Sequence, residues 1–304
     1  MAVSRRNEIF KAIQNVYHLS SLQNTPIRGI DACAIFFTIC IIIPFIAVFS
    51  STTLYMYYSH EFRMMTDDFF GSIRSYGLQT LHVYAHSIAF VFTYVSNALT
   101  MVFFSLLSHE IFTSLSDLVL SYRRSLQKIL NCDSVSEIKV RDCLTDFRRI
   151  VDCTELVEAA FSWISLFLVL SNVSAFFLML SALADGRTKY LQTLNLIFIT
   201  GSFALSVTEF VALTSGAIKL YKEGGALKKL SVPFAERTFL TYNSRKDHMS
   251  LKRLQYFSMM AETLRGATLE MTGGKMFVIK NSLILSIVGS MVTYGVLVFQ
   301  FGHE

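Results

Sequence analysis

Ser282, Ser286, Ser290, Thr293 and Gln300 recur at intervals of three, four and seven residues within an otherwise apolar stretch, MFVIKNSLILSIVGSMVTYGVLVFQFGHE. On a helix turning 100° per residue these side chains fall within about 80° of arc. Leu297 is the one apolar side chain that interrupts the stripe, and between Ser282 and Gln300 Tyr294 is the one polar residue outside it. Hydroxyls and an amide donate and accept hydrogen bonds without titrating. Their chemistry suits solvation of water or of a hydrated cation rather than nucleophilic attack. Such a stripe in a membrane helix is costly unless it meets water or polar partners. Two readings stand side by side. The stripe is a packing face, since Ser, Gly and Thr let helices approach closely; or it lines a water-filled pore. One helix cannot enclose a pore, so the second reading requires several symmetric copies. Glu304 falls in line with the stripe. A ring of carboxylates there would concentrate cations, although a C-terminal residue is equally a solvated end.

No other constellation carries chemistry. The sequence contains no Gly-rich phosphate loop, no spaced Cys/His metal cluster and no evident nucleophile–base pair. It reads as a non-enzyme with no metal and no cofactor. Hydrophobic residues make up 53% of the 304, and charged residues 16%, against about 25% in a soluble domain. The formal charge of +5 is too mild for a nucleic-acid partner. The class that remains is an all-α, polytopic transmembrane helical bundle embedded in lipid.

A span needs roughly 20 mostly apolar residues to cross about 30 Å of hydrocarbon. Five segments qualify, at about 30–54, 83–107, 159–183, 190–218 and 276–301. They are long continuous apolar runs, not the ten-residue alternating segments of a β-barrel. Pro44 predicts a kink in the first span. The loops 1–29, 109–155 and 219–275 hold 22 of the 27 Lys and Arg, and the remaining loops hold four. The positive-inside rule therefore predicts a cytosolic N-terminus and an outer C-terminus. Residues 1–29 lack a signal-peptide core and read as a membrane-skimming cytosolic helix. Cys132, Cys143 and Cys153 fall on the cytosolic side, where thiols stay reduced. Amphipathic helices are expected at 111–130, 137–157 and 248–270, with Ile111, Leu115, Leu118, Tyr122, Leu126 and Ile129 on one face of the first. They read as extensions of the spans that pack together, with lipid or calmodulin-type binding by their basic faces as the alternative. Two parts follow: residues 1–275 form the bundle with its cytosolic extensions, and 276–304 form the last helix.

The string TYGVLVFQF, from Thr293 and Tyr294 to Gln300 and Phe301, resembles the Thr-Tyr, five mostly apolar residues, Gln-Phe signature that closes the last helix of arthropod gustatory receptors. GGKMFVIKNSLILSIVGSMV before it resembles that family's approach to the motif. The resemblance covers about residues 30–304 and places the chain in the insect-type chemoreceptor superfamily. It implies a tetrameric, ligand-gated, non-selective cation channel of the plasma membrane, a homo- or hetero-tetramer, with the last helix of each subunit lining the pore. It would place Gln300 and Phe301 at the gate, supported by Thr293 and Tyr294, with Ser286 and Ser290 further along the pore. The family usually has seven spans, and the five here match its last five, so the chain is expected to lack the first two. Gly295 stands where sugar-sensing members tend to carry Glu, an argument against a sugar ligand.

By the family's pattern a small organic tastant would enter from outside, between the helices other than the last. His86, Tyr94, Asn172, Gln192 and Asn195 offer rings and hydrogen-bonding groups there, as does Tyr84. Taken singly, each is better explained by a neighbouring helix or the membrane interface that satisfies it. Trp163 is expected to pack, and Glu209 to face the bundle interior, since a lipid-facing carboxylate is costly. The expected function is a gustatory-receptor-like channel subunit for taste. A non-conducting, truncated partner subunit is the alternative, and a transporter ranks third because no inverted repeat is visible.

Overall fold

The structure is a computed structural model in which residues 11–16, 18–19, 76–131, 137–184, 193–236 and 249–301 are described. The expected first span and Pro44 lie outside these residues, as do Gln192 and Glu304. The architecture is all-α apart from one small hairpin. Helix α1 covers Tyr76–Asn131, α2 Glu137–Ala184, α3 Thr193–Lys229, α4 Met249–Gly266 and α5 Asn281–Phe301. Strands β1 (Thr272–Gly273) and β2 (Phe277–Val278) pair antiparallel between α4 and α5.

Helix length separates membrane from extension. At 1.5 Å per residue, 56, 48 and 37 residues make α1, α2 and α3 roughly 84, 72 and 56 Å long. Only about 30 Å of each fits in hydrocarbon. The amphipathic segments at 111–130 and 137–157 are therefore not separate helices; they are the ends of α1 and α2. The third is free-standing, as α4. Lys228 and Lys229 end α3, where positive charge complements the exposed carbonyls of the helix terminus. Among the described residues four helices are long and apolar enough to cross a membrane.

The chain folds as two compact units. The first takes in Leu107–Phe167 and Leu213–Ile284. Its core contains the α1 face that the periodicity picks out, joined by residues of α2, α3 and α4. Leu115, Leu118 and Leu126 of α1, Phe147 and Phe161 of α2, Leu213 and Leu220 of α3 and Leu264 of α4 are all buried. Phe112 meets Phe161 edge-on at 6.0 Å, and Tyr122 stacks on Phe147 at 5.6 Å. The Tyr122 hydroxyl donates to the Cys143 carbonyl at 2.8 Å, so this buried phenol is satisfied. Gly216 lets α3 approach α1 closely: a Cβ there would lie 3.0 Å from the His109 carbonyl oxygen and 3.1 Å from the Phe112 Cβ.

A polar edge runs beside this core. Lys219 donates to Asp117 at 2.8 Å, Arg123 pairs with Glu223 at 3.3 Å, and Ser215 shares a hydrogen bond with the His109 Nδ1 at 3.2 Å. The α3 partners are four residues apart and their α1 partners advance in the same direction, so the pairs fix the register of two parallel helices. The charges are only partly covered, so each pair adds at most about 1 kcal/mol; the apolar face supplies most of the stability.

The second unit takes in Ile30–Leu106, Leu168–Ala212 and Leu285–Glu304. Val102 packs on Leu205, with Leu106 beside them. Phe176 of α2 meets Phe203 and Phe210 of α3 at 5.6 and 6.0 Å. Glu209 is 5% exposed, turned inward as expected. Trp163 is not a packing residue: it is 45% exposed, with Phe167 as its ring neighbour at 6.5 Å. An indole on the outside of a long helix suits a position at the membrane interface.

The last helix begins later than its apolar run predicts, at Asn281 and not Met276. Gly274 and Lys275 both have φ of 60°, the sign pattern of a type I′ hairpin turn. The Met276 N–H closes that turn on the Gly273 carbonyl at 2.9 Å, and the Ile279 N–H bonds the Met271 carbonyl at 2.9 Å. Phe277 and Val278 are thereby committed to a strand. Apolar composition could not separate them from a helix start.

Candidate functional site

The polar stripe of α5 lies open. Ser282, Ser286, Ser290, Thr293 and Gln300 are all exposed. The side that turns toward the chain carries Leu283, Ile284, Ile287, Met291, Tyr294 and Val298, each only half-buried. No residue in the helix's 18-residue apolar window is buried within the chain. Leu285 is 72% exposed, and Val288, Val292 and Val296 lie open on another side. The stripe is therefore not a packing face within one chain.

The hydroxyls are arranged differently along it. The Thr293 hydroxyl donates to the Gly289 carbonyl at 2.9 Å. Its proton is committed to the helix, and its lone pairs remain available to a cation or a water proton. Tyr294 points the other way: its ring meets Phe177 of α2 edge-on at 4.9 Å. Thr293 and Tyr294 thus divide the outward and inward roles between adjacent positions. The seven-residue step from Thr293 returns Gln300 to the outward direction. Gln300 is exposed, and Phe301 is the last helical residue. A Cβ added at Gly289 or Gly295 would meet nothing within 4 Å. Neither glycine serves close packing within the chain.

The proposed ligand residues are spread over three elements. His86 and Tyr94 lie on α1, Asn172 on α2 and Asn195 on α3. Asn172 is buried, and its amide donates to the Leu168 carbonyl at 2.9 Å. Its own helix thus takes up one of the two amide donors. The side chains of His86, Tyr94 and Asn195 lie outside the described ones. Among the described residues, no group of three His, Cys, Asp or Glu side chains is placed to hold a metal.

Sequence reasoning missed a second polar constellation, at the lead-in to α5. The Thr272 hydroxyl donates to the Glu158 Oε1 at 2.7 Å, the Ser162 and Thr272 hydroxyl oxygens lie 3.1 Å apart, and the Lys275 N–H donates to the Ser162 Oγ at 3.1 Å. The Gly274 N–H also donates to the Ser162 carbonyl at 2.8 Å. Glu158 and Ser162 are one turn apart on α2. The partners are more than 100 residues distant, so no local pattern announces them. The only sequence signal is the Gly-Gly pair just before the last apolar run.

The charged half of α2, from Lys139 to Glu158, is too rich in ions to enter hydrocarbon. Its two thiols lie outside the span. Burial pushes the Cys153 thiol up to about 11. Burial, then Asp146 and Asp142, do the same at Cys143. Both sulfurs are unpaired and neutral at physiological pH.

The chain's relatives agree with this architecture. The sequence profile of the 7tm chemosensory receptor family matches residues 1–303. The chain belongs to that family. It is a chemoreceptor built of transmembrane helices. No curated protein matches it. Among solved structures it is similar to the insect olfactory receptor OR5 from Machilis hrabei, at 12% identity and a TM-score of 0.55, over 97% of this chain and 69% of that one. The same receptor in complex with eugenol matches at 13% identity and a TM-score of 0.57, over 97% of this chain and 70% of that one. At such identities the likeness is one of fold.

Proposed function

We propose that this chemoreceptor is a subunit of a ligand-gated cation channel for taste, inserted in the plasma membrane with its N-terminus in the cytosol. The observation that supports this most is the bare α5. A helix with five hydrogen-bonding side chains on one exposed side cannot stand against lipid at that orientation. Copies arranged about an axis would turn the stripe to water in a central pore and bury the adjacent Leu285–Val292 side against neighbours. A tetramer is the assembly the resemblance implies. In it, Gln300 and Phe301 would frame the gate, with Ser286, Ser290, Thr293 and Tyr294 lining or bracing the pore below.

The ligand would be a small organic molecule, held between α1, α2 and α3 by groups such as His86, Tyr94, Asn172 and Asn195, with Gln192 nearby in sequence. The eugenol complex of the olfactory receptor that shares its fold supports that chemical class. The chain acts as a receptor and not as an enzyme.

The test is whole-cell recording from cells expressing the full chain, across a panel of small organic tastants. A cation current is expected. Gln300→Ala should change its ion selectivity or amplitude severalfold, because one copy of the substitution enters from every subunit. An unchanged current in Gln300→Ala would falsify the gate assignment. A well-expressed chain that passes no current alone, yet alters the current of a co-expressed receptor, would favour the non-conducting partner subunit.

A further inference from the structure

Four polar groups at the foot of the last helix form a directed chain. The Thr272 hydroxyl has one proton and gives it to the Glu158 Oε1 at 2.7 Å. The contact between the Ser162 and Thr272 hydroxyls, 3.1 Å long, can be made in one sense only: Ser162 donates. The freed lone pair of Ser162 then receives the Lys275 N–H at 3.1 Å. The order Lys275 N–H, Ser162, Thr272, Glu158 runs from a backbone donor to a carboxylate. Each bond in such a run strengthens the next, and the last is charge-assisted.

The chain clamps a strained turn. Lys275 holds φ of 60°, a conformation that a residue with a Cβ adopts at a cost. A strained residue of this kind persists only where its surroundings over-determine it. Gly274 lies so close to α2 that a Cβ would come within 2.6 Å of the Leu166 Cδ2. The turn is thus bonded to α2 at Ser162 and fitted to it at Leu166. Only Ile279 and Lys280 separate β2 from the first residue of α5.

No residue in the apolar window of the last helix is fully buried within its own chain. Its ring contact at Tyr294 is with Phe177, again on α2. Helix α2 therefore meets α5 at its lead-in and again at Tyr294. We propose that the Glu158–Thr272–Ser162 clip makes α2 the lever of the pore helix, so that a displacement of α2 is passed to α5 through the hairpin. The pore rests on the channel proposed above; the mechanical link does not. Ser162 and Thr272 are positioning residues.

The experiment uses the full chain in lipid nanodiscs, read by hydrogen–deuterium exchange, alongside current recording in cells. Thr272→Val removes the hydroxyl while keeping the shape, Thr272→Ser keeps it, and Glu158→Gln removes the charge. Thr272→Val and Glu158→Gln are expected to speed amide exchange in residues 281–290 by about threefold or more, as loss of such a bond implies. Thr272→Ser should stay at the wild-type rate, and α4 should be unaffected in all three. In cells, Thr272→Val should shift basal open probability while single-channel conductance stays the same. Faster exchange confined to 271–279, or no difference between Thr272→Val and Thr272→Ser, overturns the lever. Spread of the effect into α5 in a chain that passes no cation current leaves the lever standing and removes the channel reading.

Discussion

Two glycines one bond apart make opposite demands. A Cβ on Gly224 would meet the Leu269 carbonyl oxygen at 2.8 Å, whereas one on Gly225 would meet nothing within 4 Å. Gly224→Ala should therefore destabilise by about 1–3 kcal/mol, the range for overpacking. Gly225→Ala should stabilise by about 0.5–1 kcal/mol, since alanine favours a helix interior. Thermal unfolding of the two detergent-solubilised variants would show Tm moving in opposite directions. Cys153 makes a different demand. With its thiol raised to about 11 by burial, only about one molecule in a thousand carries the reactive thiolate at pH 8. Alkylation there should be at least tenfold slower than at an ordinary exposed thiol, and should accelerate as pH rises toward 11. The neutral thiol is the form the fold favours, so this contribution to stability holds below the ordinary cysteine range and fades as pH rises through it. Peptide mapping after iodoacetamide labelling at pH 7, 8 and 9 would test the ordering. Spacing alone reveals neither effect, because both depend on what a distant element places against the residue.

Helices were legible where a face repeats. Leu115, Leu118, Tyr122 and Leu126 recur every three or four residues, and all are buried. The period is imposed by the same packing that it betrays. Ends and connections were less legible. Nothing in an apolar run marks where a membrane leaves off, so α1 and α2 continue without a break from apolar to charged sequence. The start of α5 was misread for the opposite reason. Phe277 and Val278 suit a strand as well as a helix, and two positive φ angles decide between them. The polar stripe of α5 was legible as a pattern, but its exposure was not, since hydroxyls serve packing and pores alike. Among element-level tests, Gly216 is the most direct. Gly216→Leu would push α3 off the His109 carbonyl and the Phe112 Cβ, and should sharply lower the yield of folded protein in fluorescence-detection gel filtration. Asp117→Asn, which weakens only a half-exposed ion pair, should cost no more than about 1 kcal/mol.

At the scale of the whole molecule, the proposed channel makes one chain an incomplete object. Its last helix carries open polar and open apolar sides at once, and a single chain satisfies neither. Native mass spectrometry from nanodiscs should therefore return a multiple of the chain mass, with four copies expected. Leu285→Arg, on the open apolar side, should lower that multiple. Recovery of a stable, homogeneous monomer would count against shared burial of α5.

The bareness of that helix also has a genetic meaning. A defect in a buried core harms only the copy that carries it. A defect on a surface completed by neighbours is inherited by the whole ring. If wild-type and altered chains mix freely in a four-membered assembly, only about one ring in sixteen is free of the altered chain. Substitutions along the stripe should therefore behave as dominant, and those at Leu115 or Phe161 as recessive.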